Sequence, residues 1–439
     1  MKKLLLTFLC ALAPAISFAG IPIQHWTHSN GAKVYLVEAK TIPMIDIQVD
    51  WFAGSVGDPD KKLGLALMTA GLIDKGSKVD GKLFSESEIS DRLADLGAGL
   101  SFSAGAEKAS MRLRTLSDVQ RRDSLVNMTA QILKAPVFDK NILAREKART
   151  IAAIKESDLK PEVILGKEFD RQIYGQHPFG KSMTVETIQS ISDADTRNFF
   201  AERYAVNGSK ITIVGDISRQ DADALVAKLL STLPADAKVI TMAPEVKLFE
   251  KKDAKQQVIK VSHSAQQAHI SMGMPTIARK DSDYFPMLVG NYVLGGGGFV
   301  SRLTKEVREK RGLAYSVYSY VSPGRQVGPF VAGIQTKKEQ ADLSVEVMKK
   351  TISDFIESGP SDTEMLAAKN NLVNGFPLRI DSNKKILDNV ASIAWNDLPL
   401  DTLDTWTKQL SSVTKEQVIA AYKKHLDMDK LVTVIVGAP

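Results

Sequence analysis

Apolar and polar positions alternate with a period of two in several short segments of the chain, and this alternation predicts β-strands. In the first half these segments are KVYLVEA, MIDIQVDWFA, LSFSAGA and SMRLRTL, and in the second half they are HISMGMP, AYSVYSYV and FVAGIQT. Between them, apolar residues recur every three or four positions, which predicts helices. The predicted helices lie roughly over 62–74, 85–96, 118–134, 140–157, 281–294, 299–311, 338–357 and 362–371.

The same pattern occurs twice along the chain. One apolar strand ends at Gly215 in KITIVGDIS, and a similar strand ends at Gly437 in KLVTVIVGAP. An alternating strand reaches Thr115 and is followed by a polar turn and a helix, and the same series follows Thr336. Because both pairs are about 220 positions apart, the sequence predicts two homologous domains. Each is expected to be α+β, an antiparallel-rich sheet covered by helices.

The domain boundaries follow from the repeat and from composition. We predict an N-terminal domain over 20–235, a linker over 236–255 rich in Pro, Ala and Lys, and a C-terminal domain over 256–439. Residues 1–19, MKKLLLTFLCALAPAISFA, have the two lysines, the apolar run and the small residues of a secretory signal peptide. A membrane anchor is the alternative, but the run is short for a span and contains Pro14. The expected location is therefore periplasmic or secreted.

Charge and cysteine content exclude several classes of function. The formal charge of the 439-residue chain is +6, and its charged residues, 25% of the total, are dispersed along the sequence. We therefore expect no binding of nucleic acid. No later run approaches the length of a transmembrane segment. The only cysteine, Cys10, lies in the predicted signal peptide, so neither disulfides nor thiol chemistry is expected in the mature protein.

Three motifs carry a resemblance to a known family. The strand WFAGSVGDPD and the following KKLGLALMTAGLIDKGS resemble the zinc-helix region of the pitrilysin and mitochondrial processing peptidase family. The segments YGQHPFGKSMTVETIQSI (174–191) and SRLTKEVREKRGLAYSVYS (301–319) resemble the same family. The resemblance covers nearly the whole chain after residue 19 and implies the metallohydrolase fold of the processing-peptidase type.

The resemblance also shows what the helix lacks. Active members carry H-x-x-E-H, in which two histidines hold zinc and the glutamate is the general base, and a later glutamate completes the site. In this sequence the four positions are Leu67, Ala70, Gly71 and, allowing a small gap, Ala153. None of these side chains ligates a metal. We therefore predict no metal site and no cofactor in this chain, and expect zinc only in a catalytic partner.

A second motif is kept. Arg308 is predicted near the end of a helix whose apolar stripe is Phe299, Leu303 and Val307, and Tyr315 opens the next strand. The resemblance implies that Arg308 and Tyr315 reach the substrate carbonyl, where a cation and a phenol would stabilise an oxyanion. A purely structural origin is also open, since arginine suits the last turn of a helix and tyrosine suits strands.

The glycine run is the weakest candidate site. Gly295, Gly296, Gly297 and Gly298 are consistent either with a helix stop and tight turn or with close approach to an extended peptide, and we assign them as candidate substrate-binding residues.

These observations predict a non-catalytic subunit of a heterodimeric zinc metallopeptidase that degrades or processes peptides. A homologous zinc-bearing subunit would be its partner, and this chain would supply half of the chamber. The alternative is an envelope scaffold or peptide-binding protein with the same fold and no proteolytic role. A third hypothesis is that the chain is a peptidase with an unusual metal site of its own.

Overall fold

The computed structural model describes residues 20–79, 81–247 and 258–437. The predicted signal peptide and part of the predicted linker lie outside these residues. The described strands are β1 Gln24–Thr27, β2 Lys33–Glu38, β3 Met44–Trp51, β4 Gly76–Val79, β5 Lys82–Ser85, β6 Gly99–Ala104, β7 Ala109–Leu116, β8 Lys210–Gly215, β9 Val258–Val261, β10 Gln267–Ile277, β11 Ala314–Val321, β12 Gly328–Lys337 and β13 Val432–Val436.

The α-helices of the described ranges surround these strands. They are α1 Leu65–Leu72, α2 Glu86–Leu96, α3 Val119–Lys134, α4 Lys140–Ser157, α5 Pro161–Tyr174, α6 Val185–Ser190, α7 Asp193–Arg203, α8 Arg219–Leu229, α9 Tyr284–Asn291, α10 Ala341–Ser358, α11 Asp362–Asn374, α12 Asn383–Trp395, α13 Thr402–Ser412 and α14 Lys415–His425. Sheets covered by helices confirm the predicted α+β class.

Two sheets form the centre of the molecule, and the five strands of the second sheet are ordered like β2, β8, β3, β7 and β6 of the six-stranded first sheet. The first has the order β1-β2-β8-β3-β7-β6, and the second has the order β9-β13-β10-β12-β11. Each contains one parallel pair, β2 with β8 and β9 with β13, and its other pairs are antiparallel. The shared order supports the predicted internal repeat. The boundaries 20–235 and 256–439 remain our interpretation, and we refer to these ranges as the first and second halves.

Each half places one helix on the sheet of the other half. The first-half helix α5 buries Leu165, Phe169 and Ile173 against β12 and β13 of the second sheet. The second-half helix α12 buries Leu387 and Val390 against β2 and β8 of the first sheet. The two halves therefore share apolar core, and neither sheet is covered by its own helices alone.

A buried lysine joins the halves at the end of α12. Lys210 of β8 donates from Nζ to the carbonyl of Ala394 at 2.6 Å, to the carbonyl of Trp395 at 3.2 Å and to the carboxylate of Asp397 at 2.5 Å. Arg325 from the second half also pairs with Asp397, at 3.0 Å. Burial lowers the pKa of Lys210, and the contacts with Asp397 oppose this effect. We call these groups the Lys210–Asp397 cluster.

The predicted helix over 299–311 is wrong in kind. The structure has a 3₁₀ turn over Gly298–Val300 and a π-helical segment over Thr304–Glu309. Ser301 between them is extended, with φ −74° and ψ 154°, so no continuous α-helix runs through the segment. Leu303 and Val307 are buried as expected, whereas Phe299 is 70% exposed and does not belong to the apolar stripe.

Candidate functional site

Three of the four positions that correspond to catalytic groups lie on one pocket. Helices α1 and α4 enclose a pocket of about 440 Å³, to which Leu67, Gly71 and Ala153 all contribute. Its other apolar walls are Met68, Ile154 and Met183. We call this space the α1–α4 pocket. Ala70 does not line it, because the side chain of Ala70 points into the core and is only 1% exposed.

The start of α1 is held by a buried carboxylate. Asp58 accepts hydrogen bonds from the backbone N–H groups of Gly64 and Ala66, at 2.8 and 2.9 Å. These groups belong to the first helical turn, where backbone donors have no partner within the helix. Burial raises the pKa of the Asp58 carboxyl to about 6, against the lowering effect of the two N–H groups. The hydrogen bonds of Asp58 therefore fix the start of α1, the helix that contains two of the zinc-ligand positions.

The α1–α4 pocket does not fit zinc. Leucine, glycine and alanine at positions 67, 71 and 153 offer no imidazole nitrogen or carboxylate oxygen. The charged residues on its walls are Glu146 and Arg149, which the sequence reasoning missed. Glu146 is held by Arg145 at 2.7 Å. Arg149 precedes Ala153 by one helical turn, and that i, i+4 spacing is the signal that could have placed it on the same face.

An open sheet edge lies beside α1. Strand β6 ends the first sheet, pairs with β7 alone within it, and packs against α1. Its residues alternate between exposed and half-buried along the strand. An edge strand presents unpaired N–H and C=O groups, so this edge can accept an added strand.

The structure brings the predicted pair Arg308 and Tyr315 together. The Arg308 guanidinium lies 5.0 Å from the centroid of the Tyr315 ring and 4.8 Å from that of Phe299. These distances are those of cation–π contacts. Tyr315 is 86% exposed although it is the second residue of β11, an edge strand of the second sheet. The phenol and the guanidinium are therefore adjacent at the surface.

Three of the four glycines have a packing role that the sequence did not specify. A Cβ on Gly295 would lie 2.5 Å from the backbone nitrogen of Ser319, and one on Gly297 would lie 2.6 Å from the carbonyl oxygen of Tyr292. A Cβ on Gly296 would also collide, with Asn291. Gly298 has open space around it but a φ of +61°, which disfavours other residues. Close packing thus accounts for Gly295, Gly296 and Gly297, and backbone conformation accounts for Gly298. Contact of these glycines with peptide remains a prediction.

Away from the α1–α4 pocket, one group of side chains among the residues that the structure describes could hold a metal ion. Asp281, Asp283 and His425 place one ligand atom each within 4.8 Å of one another. Asp283 is already engaged by Lys424 and by His425, each at 2.8 Å. This is the pattern of an ion-pair cluster at a helix end. Within the described ranges, none of the helices combines the length and apolarity that a bilayer span requires.

The fold and the pocket define a protein of peptidase architecture. At the positions of the zinc ligands, its side chains have no atoms that bind a metal. Comparisons with known proteins agree. The family model described as the peptidase M16 inactive domain matches residues 190–372. A crystal structure described as the peptidase M16 inactive domain from Pseudomonas fluorescens is 32% identical, covers 95% of this chain and 98% of that chain, and superposes with a TM-score of 0.87.

Two further relatives extend the comparison. The Helicobacter pylori protein named non-peptidase homolog YmxG is 27% identical, with 100% of this chain and 99% of that protein aligned. The periplasmic protease PqqL from Escherichia coli shares the fold at 17% identity, with a TM-score of 0.81, 95% of this chain and 46% of PqqL covered. The chain therefore belongs to the peptidase M16 family, among its inactive, non-catalytic members. This confirms the resemblance read from the sequence.

Proposed function

We propose that this chain is the non-catalytic subunit of a heterodimeric zinc metallopeptidase that degrades or processes peptides. A homologous subunit with an intact H-x-x-E-H helix would be the partner and would hold the zinc. This chain would contribute half of a closed chamber. The observation that carries the proposal is a contrast within one chain: the α1–α4 pocket has no ligand atoms at the zinc positions, while the half-buried Arg308 lies against the exposed ring of Tyr315.

The role proposed for Arg308 and Tyr315 follows from their chemistry. A fixed guanidinium and a phenol O–H stabilise negative charge as it develops on a carbonyl oxygen. The exposed ring of Tyr315 leaves this pair open to a substrate or to a partner's active site. The run Gly295–Gly298 precedes this segment and is proposed to lie along the peptide.

The proposed setting is the periplasm. The N-terminal pattern of residues 1–19 is that of an export signal, and PqqL, which shares the fold, is described as periplasmic. A closed chamber would admit unfolded peptides in preference to folded proteins.

The test is reconstitution with a homologous chain that carries the zinc motif. We expect peptide cleavage, sensitive to chelators, when both chains are present and none from this chain alone. Arg308→Ala should lower kcat about 10²-fold without changing assembly, because a donor to the developing oxyanion is lost. Lys305→Ala, which removes an exposed cation from the same segment, is the matched control and should leave turnover unchanged.

Three results would contradict the proposal. Chelator-sensitive cleavage by this chain alone would make it a peptidase in its own right. Failure to associate with any zinc-bearing homologue, together with capture of peptides by the isolated chain, would favour the scaffold or peptide-binding alternative. Unchanged turnover in the Arg308→Ala complex would remove the role of Arg308.

A further inference from the structure

The α1–α4 pocket has the chemistry of a binding site for a peptide end. Leu67, Met68, Ile154 and Met183 give it apolar walls, and Leu67 is 36% exposed within it. Its volume of about 440 Å³ lies in the range typical of small-ligand pockets. An apolar wall left open to water favours an aliphatic or aromatic side chain as its occupant.

Arg149 gives the α1–α4 pocket a charge preference. It is exposed and makes no hydrogen bond or ion pair with any residue in the described part of the chain. The neighbouring cations of α4 are engaged: Arg145 pairs with Glu86 and Glu146, and Lys147 donates to the carbonyls of Gln189 and Ile191. Arg149 is thus the unengaged cation on the wall, and a guanidinium binds carboxylates in a bidentate manner.

The geometry of an extended peptide decides which carboxylate fits. Successive side chains of a strand point to opposite faces, so the acidic side chain of an adjacent residue would point away from the pocket. A terminal carboxylate is attached to the same Cα as the side chain of the last residue. One pocket can therefore hold both groups only when the residue is the C-terminal one.

We propose that the α1–α4 pocket binds the C-terminal residue of a peptide, with its apolar side chain against Leu67 and Met183 and its carboxylate on Arg149. The open edge of β6, which packs against α1, would bind the preceding residues as an added strand. The pocket would then retain peptides that end in a free apolar residue, such as the products of a peptidase. This inference names a ligand for the proposed subunit, but binding needs only this chain.

Binding by the isolated chain tests the inference. The probe is an alanine-rich pentapeptide that ends in leucine and carries fluorescein at its N-terminus, with anisotropy as the readout. We expect the free acid to bind at least 10-fold more tightly than the same peptide with a C-terminal amide. Replacement of the last leucine by lysine should weaken binding to a similar extent.

Variants separate the pocket from general charge effects. Arg149→Gln should abolish the difference between acid and amide, and Leu67→Ser should weaken binding of both several-fold. Lys155→Gln removes an exposed cation of α4 that does not line the pocket, so it should bind like the parent chain. Circular dichroism of each variant shows that it is folded.

Equal binding of acid and amide, no binding at millimolar probe, or acid–amide discrimination that survives Arg149→Gln would overturn the inference. None of these results depends on a catalytic partner. A chain that fails this test can still support cleavage in the reconstituted complex, and a chain that passes can fail to find a partner, so the two proposals stand or fall separately.

Discussion

At the scale of single residues, Asp170 is a carboxyl group that the fold partly buries without giving it a partner. It lies on α5, and its carboxylate forms no hydrogen bond or ion pair with the residues that the structure describes. Burial raises its pKa from 3.8 to about 6. The folded state therefore binds this proton more tightly than the unfolded state, and the resulting stability is present below pH 4 and is lost as the pH rises through 6.

Asp170→Asn should consequently stabilise the protein at neutral pH. The amide has no charge to bury, so we expect a gain of roughly 1–3 kcal/mol at pH 7.5 and little difference from the parent at pH 4. Urea denaturation at several pH values measures the difference in unfolding free energy between Asp170→Asn and the parent. Glu168→Gln is the control. A hydrogen bond from Arg171 lowers the pKa of Glu168, so this change should lower the stability at neutral pH, whereas Asp170→Asn should raise it. A constant difference between Asp170→Asn and the parent across this pH range would contradict the prediction.

At the scale of elements, α1 has the position of a zinc helix but not its side chains. Leu67 and Gly71 are four residues apart and line the α1–α4 pocket with Ala153 of α4. A Cβ on Gly71 would meet no atom within 4 Å, so a larger side chain fits there. The three positions therefore lie together on one pocket, while none of them carries a metal-binding side chain.

The variant Leu67→His, Gly71→His, Ala153→Glu should bind zinc. Two imidazoles four residues apart and a carboxylate from α4 form a three-ligand set. Ala70 is left unchanged because it is buried. We expect one zinc per chain after gel filtration, measured by metal analysis, and at least 100-fold weaker binding by Leu67→His alone. A folded triple variant without zinc would show that Ala153 does not occupy the ligand position.

The sequence was sufficient where local signals agree with the fold. The predicted helices 118–134 and 140–157 match α3 and α4 closely, since Asp118 and Asp139 cap their first turns and the apolar spacing is regular. The placement of Leu67, Gly71 and Ala153 came from motif resemblance, and the structure puts all three on one pocket.

Three features could not be read from the sequence, because tertiary contacts decide them. The segment over 299–311 is not a continuous helix: a turn over Gly298–Val300 and extended Ser301 precede the π-helical stretch, and Gly295 packs on Ser319. The spacing of Arg149 and Ala153 places both on one face of α4, but the sequence does not show that this face meets α1. The packing of α5 and α12 on the opposite sheets is likewise invisible to periodicity, which reports an apolar face but not its partner.

At the scale of the whole molecule, the two halves should unfold together. Helices α5 and α12 each complete the core of the other half, and the Lys210–Asp397 cluster adds a polar contact between halves. Loss of either helix contact would expose apolar surface in both halves at once. We therefore expect one cooperative transition in urea, with coincident curves from tryptophan fluorescence and far-ultraviolet circular dichroism.

Asp397→Asn tests how strongly the cluster joins the halves. Asparagine tolerates the left-handed backbone of Asp397, whose φ is 48°, so the change removes charge and little else. Lys210 would keep its two carbonyl acceptors but lose its counter-charge while buried, which should cost about 2 kcal/mol. Asp388→Asn breaks the more exposed pair with Arg112, at 2.6 Å, and should cost under about 1 kcal/mol. Equal losses of unfolding free energy in the two variants would mean that apolar contacts alone hold the halves together. A second transition in either variant would mean that the halves do not unfold as one unit.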